Sequence, residues 1–268
     1  MRGPSGWTDS GHHVHAVVDR IELEGVDASW FTSEKVAPPA REPDPWLAEW
    51  RRRDAELSRR LDRHLAQRGT MTPQQVAGTV SAALPPGGLL FVGASNPVRD
   101  LDLMVAKYNV GDRRMVVGNR GLAGIDGSVS SAIGAALGRP RSTRAIALLG
   151  DVTFLHDTNG LLLGPGEERP DLTIVVVNDD GGSIFASLEQ GGEQHAASYD
   201  KLFGTPHGVD VASLCAATRT PHWKVGSVAE LQHALASPAG GIDVVEAVVR
   251  RDDRRELDAA IRALAAQD

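Results

Sequence analysis

Residues Ala145–Phe185, AIALLGDVTFLHDTNGLLLGPGEERPDLTIVVVNDDGGSIF, decide the fold. Two short apolar runs, Ala145–Leu149 and Leu172–Val177, are rich in aliphatic and β-branched residues, as buried parallel strands are. The first stops at Gly150-Asp151 and the second at Asn178-Asp179-Asp180-Gly181-Gly182. Between them, Thr153–Leu163 is long enough for a crossover helix, so the stretch reads as one βαβ unit. Its two strands then run parallel, and the acidic residues after each emerge together at the carboxyl edge of the sheet, where open α/β sheets bind ligands.

Taken singly, Gly-Asp and Asn-Asp-Asp-Gly are ordinary turn sequences. Their pairing across one βαβ unit gives them a second meaning. Oxygen side chains and glycine-exposed carbonyls at one edge suit a hard divalent cation such as Mg²⁺, whose octahedral shell is completed by substrate phosphates. A diphosphate therefore comes with the cation. Gly150, Gly181 and Gly182 fit it, because glycine permits close backbone approach to phosphate oxygens.

The rest of the chain sets the bounds. At 268 residues, 41% hydrophobic and 24% charged, it is long enough to bury a sizeable core. A net charge of -7 and a pI near 5.7 exclude a surface built for nucleic acid or anionic membrane, which needs basic excess. Arg51–Arg53, the densest basic run, reads as a solvated helix face. A lone Cys215 excludes an internal disulfide and suits a reducing cytoplasm. No stretch reaches the ~20 apolar residues of a membrane span, and the amino terminus, with His12, His13 and His15, has no apolar signal core.

In chain order, His15–Leu23 alternates as a short strand with no sheet to join, so residues 1–35 read as the remnant of a preceding domain. Val36–Pro45 reads as a proline-rich linker, leaving 46–268 as one domain. Asp44-Pro45 opens a helix carrying Trp46, Trp50, Leu57, Leu61 and Leu65 near helical spacing, a core or interface stripe. Thr72-Pro73 caps a second helix with Val76, Val80 and Leu84 on one face. Strands are expected at Leu89–Ser95, Arg114–Asn119 and Ile242–Val249. Helices are expected from Asn96-Pro97, over Val129–Gly138 (which packs on the sheet or on another subunit), Val211–Thr218, Val228–Ala236 and Arg254–Ala266. Polar Leu188–Asp200 suggests a mobile loop beside the site. Strands alternating with helices imply an α/β fold, a doubly wound and largely parallel sheet with helices on both faces.

Ser95 and Arg99 follow the first of these strands and Arg120 the second, so all three belong to the edge that carries Asp151 and Asp179. Two arginines there suit carboxylate recognition, since the planar guanidinium bonds carboxylates two-toothed.

Gly150-Asp151 with Asn178–Gly181 resembles the thiamin-diphosphate signature. Together with ASNPVRD (94–100), GNRGLAGIDG (118–127), GDVTFLHDTNGLL (150–162) and NDDGGSIF (178–185), the wording resembles the 2-succinyl-5-enolpyruvyl-6-hydroxy-3-cyclohexene-1-carboxylate synthase family of menaquinone biosynthesis. The likeness continues more weakly through FGTPH (203–207). Val152 stands where many thiamin-diphosphate enzymes carry a third glycine, and Asp179 where asparagine is commoner.

The resemblance implies a decarboxylating carboligation of 2-oxoglutarate with isochorismate, dependent on thiamin diphosphate and Mg²⁺ or Mn²⁺. It implies metal ligation by Asp151, Asp179 and the Gly181 main chain, and a cofactor cradle of Gly150, Asp151, Val152, Thr153, Gly181 and Gly182. Ile125 would press between the cofactor's rings and the Ala123 carbonyl would accept from its amine. Arg99 and Arg120, helped by Ser95, would hold substrate carboxylates, and Ile184, Phe185 and Leu188 would form an apolar wall. Read from residues alone, those three are amphipathic-helix core. The family also uses a pyrimidine-binding domain for which nothing before Val36 leaves room. The chain thus resembles the carboxyl-terminal part, completed by that missing region or another chain, inactive alone, and a homo-oligomer when assembled. Another thiamin-diphosphate carboligase or decarboxylase, or a non-catalytic cofactor-binding or dimerisation remnant, are the alternatives.

Overall fold

A computed structural model of the chain describes residues 44–109, 111–119, 121–122 and 124–266. The expected strand His15–Leu23, the domain remnant, the linker up to residue 43, Arg120 and Ala123 lie outside the described residues. Contacts divide the chain into two units, 1–50 and 51–268.

Helix α1, Pro45–Ala66, starts where Asp44 Oδ1 accepts the Trp46 N–H at 3.0 Å, and the exposed Trp46 and Trp50 rings meet edge-on. These first turns belong to the first unit. In the second, only Leu61 and Leu65 of the expected stripe are buried, while Leu57 is half-exposed. Helix α2, Pro73–Ala83, opens on a capping box in which Thr72 and Gln75 satisfy each other's main-chain N–H, with Pro73 in the first turn. Then follow β1 (Leu89–Val92), α3 (Asn96–Met104), β2 (Met115–Val117), α4 (Ser128–Leu137), β3 (Ala145–Gly150), α5 (Asp151–His156) and β4 (Leu172–Asn178). Short helical turns from Ser183 to His195 lead into α6 (Ala196–Tyr199) and a π turn over Asp200–Gly204. The chain continues with α7 (Val211–Ala217), β5 (His222–Val225), α8 (Val228–Ala236), β6 (Ile242–Val248) and α9 (Arg254–Leu264).

The described residues build one six-stranded sheet in the order β2-β1-β3-β4-β6-β5, with every pairing parallel. Because side chains alternate along a strand, Leu90, Val92, Ile146, Leu148, Val175 and Val245 pack under α2, α3 and α8 on one face. Leu89, Phe91, Ala147, Leu149, Ile174 and Val244 pack under α4, α5 and α7 on the other. The central strands are buried on both sides, which explains their unbroken apolar runs. Leu61 and Leu65 join Leu257 of α9 in a third, small cluster.

Two expectations need correction. The crossover from β3 is not a helix over Thr153–Leu163. Helix α5 begins at Asp151 and ends at His156, and a separate 3-10 turn spans Thr158–Leu161. Asp157 breaks the run because its carboxylate is committed elsewhere, accepting the Ser130 N–H at 2.7 Å and lying 3.3 Å from the Ser130 hydroxyl on α4. Strand β5 was not foreseen. It is an edge strand, and its Trp223 and Lys224 face solvent. Among the described residues no helix is long and apolar enough to cross a membrane.

Candidate functional site

The chain runs from β1 outward to β2 and then returns to β3 on the other side of β1. The order of the sheet therefore reverses between β1 and β3, and their carboxyl ends border the crevice where such sheets take ligands. A cavity of about 350 Å³ opens there. Ser95 and Arg99 reach it from the segment after β1, Ile125 from that after β2, Gly150–Thr153 from β3, and Asp179, Gly181, Gly182, Ile184 and Phe185 from β4. Leu188 does not line it and is half-exposed. Of the expected site, then, only Leu188 is placed off the cavity, with Arg120 and Ala123 outside the described residues.

Asp151 and Asp179 are both buried at this edge. Asp151 Oδ1 accepts the Val152 N–H at 2.6 Å, and Oδ2 accepts the Gly181 N–H at 2.9 Å and lies 3.1 Å from His207 Nε2. Burial raises the Asp151 carboxyl above the usual carboxylate range against the pull of these donors. Asp179 is pushed up to about 7, by burial first and by the neighbouring Asp151 charge second, while the Ser183 hydroxyl pulls the other way. Two buried carboxyls this close resist ionising together unless a cation joins them. The Ser183 hydroxyl also accepts the Asn96 side-chain N–H at 2.9 Å, tying the segment after β1 to that after β4.

The last residue of β4 and the two that follow it divide their work. Asn178 faces the sheet, where its side-chain N–H donates to the buried Glu246 at 2.8 Å and its oxygen accepts the Asp180 N–H at 3.0 Å. Asp179 faces the cavity. Asp180 takes a left-handed conformation, φ 59°, that aspartate tolerates, and its Oδ1 accepts the N–H groups of His207 and Gly208 at 3.0 and 2.7 Å. Those bonds hold its carboxyl below the usual range, Gly208 contributing most.

Gly181 and Gly182 have a role the sequence did not show. Gly181 has φ 143°, and a Cβ on it would fall within the Gly204 carbonyl; a Cβ on Gly182 would fall within that of Phe203. The Gly182 N–H donates to Gly204 O at 2.7 Å. Glycine is needed here for the approach of the 203–208 segment, whatever lies in the cavity.

Arg99 is exposed at the cavity mouth, its guanidinium donating to Ser95 O at 2.6 Å. Ser95 itself has φ 70° and ψ -137°, a strained backbone for a residue with a Cβ, of the kind found at ligand sites. Behind them, Arg254 of α9 and Asp100 of α3, both buried, also line the cavity. Sequence reading missed His207, Asn96, Ser183, Asp100 and Arg254 as contributors. Only FGTPH carried any signal for His207.

The chain's likeness to known proteins agrees with this geometry. The sequence model described as "Thiamine pyrophosphate enzyme, C-terminal TPP binding domain" matches residues 101–249. The chain belongs to this family. The thiamine pyrophosphate enzymes that it resembles in detail are synthases named 2-succinyl-5-enolpyruvyl-6-hydroxy-3-cyclohexene-1-carboxylate synthase. That of Nocardioides sp. is 64% identical over 96% of this chain and 47% of its own length. That of Nocardia farcinica is 52% identical over 81% of this chain and 39% of its own. The chain thus spans about half the length of the curated relatives it matches, and the resemblance seen in the sequence holds. Among solved structures, a benzoylformate decarboxylase from Polynucleobacter necessarius superposes with a TM-score of 0.55 over 68% of this chain and 33% of its own, at 20% identity, which speaks for the thiamine pyrophosphate fold alone.

Proposed function

We propose that this chain is the diphosphate- and metal-binding part of a thiamin-diphosphate-dependent 2-succinyl-5-enolpyruvyl-6-hydroxy-3-cyclohexene-1-carboxylate synthase, joining 2-oxoglutarate, with loss of CO₂, to isochorismate. The observation that carries the reading is the pairing of buried Asp151 and Asp179 in one cavity, two carboxyls whose joint ionisation a hard divalent ion would favour. Among the described residues no cluster of three or more His, Cys, Asp or Glu side chains is placed to hold a metal. Two carboxylates completed by a main-chain carbonyl at Gly181 and by phosphate oxygens suit Mg²⁺ or Mn²⁺ better than a softer ion.

Thiamin diphosphate, when bound, supplies the electron sink for decarboxylation and carbon–carbon bond formation. This chain's residues supply position and charge. Gly150, Asp151, Val152, Thr153, Gly181 and Gly182 would flank the diphosphate, Ile125 would press between the cofactor's rings, and the Ala123 carbonyl would accept from its amine. Arg99, tethered through Ser95 O, and Arg120 take the substrates' carboxylates. Ile184 and Phe185 give the apolar wall that keeps water from the reacting carbon. A pyrimidine-binding region completes the site, and the assembly is a cytoplasmic homo-oligomer; the lone buried Cys215 supports the reducing compartment.

The test is to supply the amino-terminal region of a close relative in trans and to follow consumption of isochorismate with 2-oxoglutarate. Product formation that depends on both proteins is the expected result. A well-folded complex that binds thiamin diphosphate and forms no product would overturn the synthase reading.

A further inference from the structure

His207 lies 56 positions after Asp151 in the chain, yet its ring ends on that carboxylate. Its side chain is mostly buried, and both ring nitrogens are engaged. The Val209 N–H points at Nδ1 at 3.0 Å, which requires a lone pair there and leaves the ring proton on Nε2, facing Asp151 Oδ2. Nδ1 also lies 3.5 Å from Asp180 Oδ1. That contact would favour a proton on Nδ1, but Asp180 Oδ1 already receives two main-chain N–H groups and the Val209 N–H is nearer.

A carboxylate offers about four lone-pair positions. On Asp151, Oδ2 receives two donors, Gly181 N–H and His207 Nε2–H, and Oδ1 receives one, Val152 N–H. One position is left, and it is on Oδ1. A carboxylate so held is turned to present a single oxygen, as a one-toothed ligand in an octahedral shell does. His207 also anchors its own segment: its main-chain N–H goes to Asp180 Oδ1, and Gly204, three residues before it, accepts the Gly182 N–H.

We propose that His207 is the positioning residue of the metal and diphosphate site, fixing Asp151 through Oδ2 so that Oδ1 alone faces the ion. It acts through Asp151 and does not itself line the cavity. Partners of this kind typically change metal affinity by about 10–100-fold when removed. The inference rests on the reading of the cavity as a thiamin-diphosphate site.

The test uses the chain completed by the amino-terminal region of a close relative, titrated calorimetrically with thiamin diphosphate at saturating Mg²⁺ and then with Mg²⁺ at fixed thiamin diphosphate, for the wild type, His207→Ala and His207→Gln. The wild type should bind, His207→Ala should weaken both titrations by about 10–100-fold, and His207→Gln, whose amide N–H can replace Nε2–H, should restore most of the loss. Nitrogen-15 spectra of the wild type without ligand, needing no variant to fold, should show a pyrrole-like Nε2 and a pyridine-like Nδ1 at His207. Equal affinity in wild type and His207→Ala would overturn the inference and leave the cavity reading standing. Equal loss in the Ala and Gln variants, or a proton on Nδ1, would overturn the positioning role. A folded wild type that binds no thiamin diphosphate would overturn the cavity reading and this inference together.

Discussion

Arg254 in α9 and Asp100 in α3, 154 positions apart, form a two-toothed ion pair with N–O distances of 3.0 and 2.8 Å, each side chain only 5% exposed. Arg254 Nε also bonds Asp258 at 3.1 Å, and Asp258 receives the Ser187 hydroxyl at 2.5 Å. The last helix therefore fastens both the segment after β1 and the segment after β4, the two lips of the cavity. Breaking a buried pair by removing one partner leaves an uncompensated charge. Arg254→Ala should lower stability by about 3–5 kcal/mol in urea denaturation, while Arg254→Met combined with Asp100→Leu should recover most of it. A loss below about 1 kcal/mol in the single variant would show that the pair does not hold the two lips.

Gly181→Ala should be poorly tolerated even without ligand. It forces a positive φ on alanine and drives its Cβ into the Gly204 carbonyl. Strain of the first kind alone is worth about 1–3 kcal/mol. Denaturation of the ligand-free protein is the check, since a glycine needed only for diphosphate approach would show no loss there.

Burial and Asp151 push the Asp179 carboxyl up to about 7, so the fold binds that proton more tightly than the unfolded chain, where an aspartate titrates near pH 4. Its contribution to stability is fully present below roughly pH 4 and is lost as pH rises through about 7. In metal-free buffer the stability of wild type minus that of Asp179→Asn should fall across this window and level off above it. A difference that rises with pH would mean that Asp179 is held ionised in the empty site.

Much of this was legible from the sequence because it is local. The apolar runs of β1, β3, β4 and β6, the Thr72-Pro73 cap and the Gly-Asp and Asn-Asp-Asp-Gly strand ends each announce themselves within a few residues. What was not legible is non-local. Asp157 ends α5 because Ser130, 27 positions earlier, takes its carboxylate. His222, Trp223 and Lys224 show no buried alternation because at the sheet edge neither face of β5 is covered at Trp223 and Lys224. Gly181 and Gly182 pointed to a diphosphate, while the backbone that presses on them lies at Phe203 and Gly204.

Arg99 donates to Ser95 O, which holds its guanidinium at the cavity mouth, apart from the carboxylate pair. In the completed assembly Arg99→Ala should lower kcat/KM for at least one substrate by one to two decades, the about 1.5–3 kcal/mol of a charge-assisted contact. The Kd for thiamin diphosphate should stay within about threefold by the same scale. Arg99→Lys should recover only part, having lost the fork. Wild-type substrate kinetics with weakened cofactor binding would reassign Arg99 to the diphosphate.

The central claim is that Asp151 and Asp179 hold a divalent ion that brings the diphosphate with it. Calorimetric titration of thiamin diphosphate into the completed assembly, with Mg²⁺ and then with chelator, tests it most directly. Binding should require Mg²⁺ in the wild type and vanish in Asp151→Asn, which keeps the shape and an acceptor oxygen but loses the charge. Binding that persists in chelator, or unchanged affinity in a folded Asp151→Asn, would contradict the account.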